Sequence, residues 1–460
     1  MNELFSLDVT ECIKNNFKVV QSGPFKNQIL SLDVRSSEDN GIFLEAVTDS
    51  ITPFESNLKP GQPIEEVHDI SIQDTLGHVI HIKDVYIAKS SWELDRNGRK
   101  TRSNVKFSSI CRDVEDVNNV YCTIETVSNL ENVFNRGPSH LTAFQRRTIT
   151  TNNISVGRNF TFSNEATSKA SARNVLDFNV GGHNVSIYFA DKLGNGFVLF
   201  EGFVKPDYIH KVLDVISFLM GRKIESVATK FVDSNGAQLG YKALPKLKSV
   251  KSVKSYITST PTPLNKINSP AVCALFDNYD TYNLRPVLWS YFQALDASIE
   301  KKAVYYGGCI EAFQKSYMTI NKQKISRSLI EKSTFRQLRK ELLAVLDNTT
   351  MDEDLKRTFQ NKIDGLNVIS QNVVTQKFFA ALGLDVRDLE TTAWNRRNDA
   401  AHGNVIPSEE YVDLFRHNTV LHCLFNRMIL ASFDVSTQYV DYYTYGFPTR
   451  HISSCIPASD

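Results

Sequence analysis

Residues 384–408 read LDVRDLETTAWNRRNDAAHGNVIPS, and within them Arg396, Arg397, Asn398 and His402 stand close together. Gly383 closes the preceding pattern, Asp385 has the side chain of an N-cap, and Asp388 and Glu390 fall in the first turns. Gly403 and Pro407 end the helix, so both arginines, the asparagine and the histidine crowd its final two turns. At about 100° per residue, Asn398 and His402 share one face, with Arg397 about 140° from His402 and long enough to reach round. The group combines an imidazole that titrates near neutral pH, a permanent cation shaped for phosphate and an amide, with Ala400 and Ala401 leaving room beside them. Such a set suits cleavage of RNA without a metal. A ribose 2'-OH attacks the neighbouring phosphorus, the histidine moves a proton as base or acid, and the arginine steadies the charge that builds on phosphorus. Carbonyls at a helix C-terminus favour imidazolium, which keeps His402 partly protonated and able to assist a leaving group. The same residues admit a plainer reading, in which Arg397 and His402 cap the helix and pair with Asp399, Glu409 or Glu410. Spacing alone leaves both open.

Arg397-Asn398-Asp399-Ala400-Ala401-His402 resembles the Arg-x4-6-His signature of HEPN domains, in which a polar residue, often Asn, follows the arginine and the motif lies in a late helix of an all-α bundle. The resemblance implies a metal-independent endoribonuclease, with no cofactor, whose two motifs meet across a homodimer interface to form one composite site. Arg397, Asn398 and His402 then take the catalytic positions, and Arg396 offers an alternative register with one more intervening residue. The whole layout is similar to ApeA-type abortive-infection proteins of bacterial phage defence, and residues 212–225 (VLDVISFLMGRKIE) share the character of their N-terminal domain. That likeness implies activity held off until infection through the N-terminal half, a phage-derived protein as trigger, and RNA, with transfer RNA a candidate, as substrate. Some HEPN domains have lost catalysis and serve in assembly. The alternative is therefore a non-catalytic interaction module with an N-terminal ligand- or protein-binding domain.

Two further features bear on such a site. Residues 315–340 hold eight cations, including Lys322, Lys324, Arg327, Lys332 and Arg336, against one acid, Glu331. This run would attract RNA phosphates and make binding salt-sensitive; it equally reads as a solvated helix face with Asp352, Glu353 and Asp354 as partners. Glu311, in GGCIEAFQK, is placed by period either inside the bundle as support for the arginine cluster or at its boundary in a salt bridge. His417 and His422 belong to an apolar-periodic last helix and read as core-edge residues. His78 and His81 fall on opposite faces of a strand, which argues against a shared metal.

The elements that must position these residues divide the chain. All four Asn-Gly dipeptides and 15 of the 21 glycines lie within the first 240 residues, where hairpin turns are expected. Strands are predicted over 28–34, 42–47, 79–88, 105–110, 120–127, 184–190 and 196–204. One amphipathic helix over 207–220 is stopped by Gly221. From Arg285 the period is helical, as in Leu288, Phe292, Leu295 and Ile299. The predicted fold class is α+β and multidomain. A β-rich N-terminal half over 1–241, sandwich- or barrel-like with a helix, serves sensing or docking. A basic linker rich in Pro, Ser and Thr, part of it compatible with an edge strand, follows over 242–270. A helical bundle spans 271–436, and an irregular tail 437–460.

Composition bounds the reading. The 52 Lys+Arg and 51 Asp+Glu leave a net charge of +1, which excludes a wholesale basic coat but not a local one. No apolar run approaches the length a membrane-spanning helix needs, and the first residues lack a signal-peptide pattern, so a cytoplasmic protein without membrane partners is expected. The 7 cysteines are scattered without a CxxC pair, which speaks against a zinc or redox centre.

Overall fold

A computed structural model describes residues 9, 12–13, 17–25, 28–37, 41–49, 68–95, 98–130, 175–189, 195–245, 269–321, 328–401 and 407–457, with the backbone alone for 95, 98–99, 175–177, 188–189, 195, 269, 398–401 and 408. The fold is α+β, and the chain divides into two compact units. The first is built on strands, β1 (Lys18–Ser22), β2 (Ile29–Ser37), β3 (Gly41–Thr48), β4 (His68–Gln73), β5 (Val79–Asp95), β6 (Gly98–Lys106), β7 (Ser109–Arg112), β8 (Cys122–Ser128), β9 (Val175–Val180), β10 (His183–Phe189), β11 (Asn195–Glu201), β12 (Glu225–Val232) and β13 (Gln238–Ala243). They form a 13-stranded antiparallel sheet with the order β2-β3-β6-β5-β7-β13-β12-β8-β11-β10-β9, to which β4 adds by pairing with β5 and β1 by pairing with β4. Alternation decides which residues meet. Leu44 and Ala46 of β3, Ile70 and Ile72 of β4, Ile80 and Ile82 of β5, Ile110 of β7 and Tyr241 and Ala243 of β13 bury one face of the sheet as a single core.

The predicted strand over 105–110 is two strands in the structure. Asp84 adopts a left-handed φ of 54° and bends β5, and Ser108 ties down the corner by donating to Lys83 O (2.9 Å, backbone) and Asp84 Oδ2 (2.5 Å). One long strand therefore pairs first with β7 and then with β6. Asn235-Gly236 is a true turn, with Gly236 at φ 82° and Asp233 accepting from the Asn235 and Ala237 amides. Asn195-Gly196 instead lies inside β11, where a Cβ on Gly196 would meet Leu130 at 2.1 Å. The predicted helix is present as α1 (Pro206–Met220), ended by Gly221 at φ 69°, and Tyr208 near its start donates to Val180 O.

The predicted linker loses its first residues to β13, where Lys242 sits between two strands and not on an edge. Residues 246–268 lie outside the described residues.

The second unit takes in residues 218–222 and the chain from 270 onward. Its helices are α2 (Ser269–Asn278), α3 (Leu284–Asp296), α4 (Ile299–Ile320), α5 (Lys332–Asp347), α6 (Glu353–Gly365), α7 (Gln371–Ala381), α8 (Asp388–Ala401) and α9 (Tyr411–Ser432). α4 packs against α3, α7, α8 and α9, while α5 pairs with α6. Buried rings fill the interior: Tyr291 stacks on Phe425 at 4.8 Å between centroids, and Phe313 meets Phe433 edge-on at 5.7 Å. The predicted irregular tail is partly regular, since β14 (Gln438–Val440) and β15 (Thr449–His451) form an antiparallel pair. Among the described residues, no helix is long and apolar enough to cross a membrane.

Candidate functional site

The helix that carries the cluster, α8, begins two residues later than its sequence suggests. Thr391 N bonds to Arg387 O, which makes Arg387 the cap, and Glu390 reaches back to accept from the Arg387 amide at 2.9 Å. Asp385 does not cap the helix; it pairs with the Arg387 side chain and donates its amide to Ser453 O. The cap works because Glu390 stands at the position from which a carboxylate can satisfy a free N–H.

Glu390 has a second task. Its other oxygen pairs with Arg427 of α9, and both side chains are 0 % exposed. Arg427 also donates to Ile452 O (3.0 Å) and Asp385 O (2.9 Å), while the Ile456 amide donates to Glu390. Burial pushes the Glu390 carboxyl up, and Arg427 with the Arg387 and Ile456 amides pulls it back.

At the opposite end of α8, Arg397 is nearly buried, and three contacts fix its guanidinium. One N–H donates to Trp394 O at 2.7 Å, a second pairs with Glu311 of α4, and the guanidinium carbon lies 3.5 Å over the Trp394 ring. Gly307 of α4 makes the space, because a Cβ there would stand 2.7 Å from Arg397 Cδ. Among the described residues, these partners use two of the five N–H donors. The pair is lopsided: the Arg397 side chain is 9 % exposed and that of Glu311 44 %. Glu311 thus screens Arg397 from the solvent side, and a phosphate oxygen can compete for the same guanidinium.

Arg396 points elsewhere, exposed and within 3.7 Å of Glu410. Of the expected partners for a purely structural Arg397, neither Glu409 nor Glu410 is the one used; Glu311 is. α8 includes Asn398 in its backbone, His402 lies outside the described residues, and so do Lys322, Lys324 and Arg327. Lys332 and Arg336 are exposed on α5. Arg336 lines a shallow depression with Ser333, Gln337, Arg339, Lys340 and Asp347, to which α8 contributes no residue. Part of that basic face is neutralised, since Arg339 pairs with Asp364 and Lys356 with Asp347.

Two neighbours were not singled out from sequence. Trp394 precedes Arg397 by three positions, the spacing that stacks side chains on one helix face, and that was a readable signal. Gly307-Gly308 inside a 22-residue helix was another, because glycine in a helix interior is unfavourable unless something packs close. His417 of α9 is half-buried, in keeping with the core-edge place its period predicts. Burial, and then the Arg396 cation, holds it below the ordinary imidazole range, and its Nδ1 is buried without a hydrogen-bond partner among the described residues. His422 is a core residue, its Nε2 accepting from Tyr291 Oη at 3.1 Å and Asn426 Nδ2 at 3.2 Å. No protein-family model, curated protein or solved structure matches this chain.

Proposed function

We propose that this protein is a metal-independent endoribonuclease of the HEPN type, with Arg397 stabilising the charge on phosphorus and His402 moving the proton. The observation that carries the reading is the setting of Arg397: a cation held by Trp394, Glu311 and Gly307 in one orientation, with its countercharge on the half-open side. Preorganised cations of this kind act most strongly where charge develops in a transition state. In the proposed step the ribose 2'-oxygen forms a bond to phosphorus and the bond to the 5'-oxygen breaks. One proton leaves the 2'-OH and one arrives on the departing oxygen. Asn398 contributes hydrogen bonding, Glu311 orients Arg397, and Lys332 and Arg336, with Lys322, Lys324 and Arg327, attract the RNA backbone.

In this reading the chain works as a cytoplasmic homodimer in bacterial phage defence. A phage-derived protein relieves inhibition through the β-rich unit, and transfer RNA is a candidate target. A second reading has its own observation: Arg397 is almost buried and already paired, as a structural arginine in a non-catalytic module would be. Incubating the purified protein with total RNA in EDTA separates the two. Cutting that disappears in both Arg397→Ala and His402→Ala supports the enzyme. Cutting that survives in either folded variant, or an inert parent under every activating condition, supports the module.

A further inference from the structure

The segment after α9 is organised by one buried carboxylate. Asp441, at 0 % exposure, accepts from the Tyr443 amide (3.0 Å), the Thr444 amide (3.1 Å), the Thr444 hydroxyl (2.6 Å) and Arg450 Nε (2.7 Å). Arg450 also donates to the Thr444 hydroxyl, the Asp441 amide donates to Pro448 O, and the Phe447 amide to Thr444 O. These bonds close a turn in which Gly446 has φ 82° and Phe447 φ 51°. A bulky residue in the left-handed region is strained, and such strain persists only where its surroundings impose it.

The turn presents aromatic surface. Tyr445 is 100 % exposed and Phe447 60 %, although both belong to residue types a small hairpin would gain by burying. Phe447 is nevertheless anchored. Its ring meets Tyr442 at 5.7 Å, Tyr442 lies nearly parallel to His422 at 5.4 Å, and His422 stacks on Tyr306 at 5.6 Å, inside the bundle and next in sequence to Gly307. Charge narrows the choice of partner. Over 436–457 the only carboxylate is Asp441, which is buried against Arg450, so the segment itself contributes rings, Arg450 and His451 and no exposed acid; the nearest exposed carboxylate shown is Asp385, whose amide donates to Ser453 O. A protein-binding hot spot sits at the centre of a wider patch that excludes water around it. Here two rings stand out on a narrow turn, the arrangement that suits stacking on the flat faces of unpaired bases.

We propose that the turn carrying Tyr445 and Phe447 is a stacking platform for the bases of single-stranded RNA. The inference rests on the reading of RNA as substrate, yet it fails separately from it. The probe is a fluorescein-labelled 2'-O-methyl oligoadenylate, which lacks the attacking hydroxyl, compared with an abasic strand of the same backbone, by anisotropy with the full chain in EDTA. Tyr445→Ala weakens binding of the base-bearing probe about tenfold or more and leaves the abasic probe unchanged, while Tyr445→Trp binds like the parent. Tyr445 is wholly exposed, so an unaltered melting temperature in Tyr445→Ala serves as the fold check.

Unchanged affinity in Tyr445→Ala, equal losses for both probes, or a parent that does not bind the base-bearing probe overturns the proposal. Loss of self-association in Tyr445→Ala with RNA affinity intact also overturns it and makes the turn a protein contact. Ring-dependent binding without any RNA cutting keeps the platform and sinks the nuclease; cutting with ring-independent binding does the reverse.

Discussion

The two ends of α8 hold an arginine and a glutamate each, and they differ in one respect, access to water. At the start, Glu390 and Arg427 are both fully buried, and carbonyls of Asp385, Ile452 and Ser453 complete the arginine's bonds. At the end, Arg397 is buried but Glu311 is 44 % exposed. The same chemical pair therefore does different work. The sealed pair has no room to exchange partners and ties the C-terminal segment to the bundle; the half-open pair keeps an arginine oriented while leaving its anion replaceable.

The largest expected effect comes from breaking the sealed pair. Arg427→Ala strands a buried carboxylate and should lower unfolding free energy by about 3–5 kcal/mol, read from urea denaturation. A loss below about 1 kcal/mol would mean water reaches Glu390 and erase the contrast.

A second test uses pH on the sealed side. Burial pushes His422 down to about 3 from its usual 6.5, and the ring accepts two hydrogen bonds only when neutral. The unfolded chain binds a proton there below 6.5 and the folded chain does not. Its contribution is thus complete above 6.5 and declines as pH falls toward 3. Between pH 7 and pH 5 the parent should lose about 2 kcal/mol more than His422→Asn, at about 1.4 kcal/mol per pH unit. Parallel stability curves for the two proteins would refute this.

At the half-open end, Gly307→Ala pushes against Arg397 Cδ, a flexible side-chain atom and not backbone. Stability should fall by only about 1 kcal/mol. RNA cutting should drop about tenfold or more, because the cation is displaced. An equal effect on both would argue that Arg397 serves packing alone. Arg396→Ala should change least, within about 0.5 kcal/mol and with cutting near the parent rate, since its partner Glu410 is exposed. A large loss of cutting there would transfer the role to Arg396.

Much of the fold was legible because periodicity reports burial directly. The amphipathic run ending at Gly221 and the hairpin of β10 and β11 both follow it. The break of β5 at Asp84 was not legible, because a left-handed aspartate leaves no mark in an alternating pattern. At the candidate site, Arg397 and Glu311 were each visible, but their pairing joins residues 86 positions apart, and helical spacing says nothing across helices. A separation of 37 positions likewise hid Glu390 with Arg427, where a glutamate expected in a first turn proved to be buried. Exposure of Tyr445 was likewise unreadable, since an aromatic-rich segment looks like core until its turn is known.

Attack by the ribose 2'-oxygen, stabilised by the half-open arginine, would leave its mark on the ends of RNA cut in EDTA by the full chain. The expected products carry a 2',3'-cyclic phosphate on the upstream fragment and a 5'-OH on the downstream one, both absent with Arg397→Ala. Fragments bearing 5'-phosphate, or the same cyclic ends made at the parent rate by a folded Arg397→Ala protein, would contradict it.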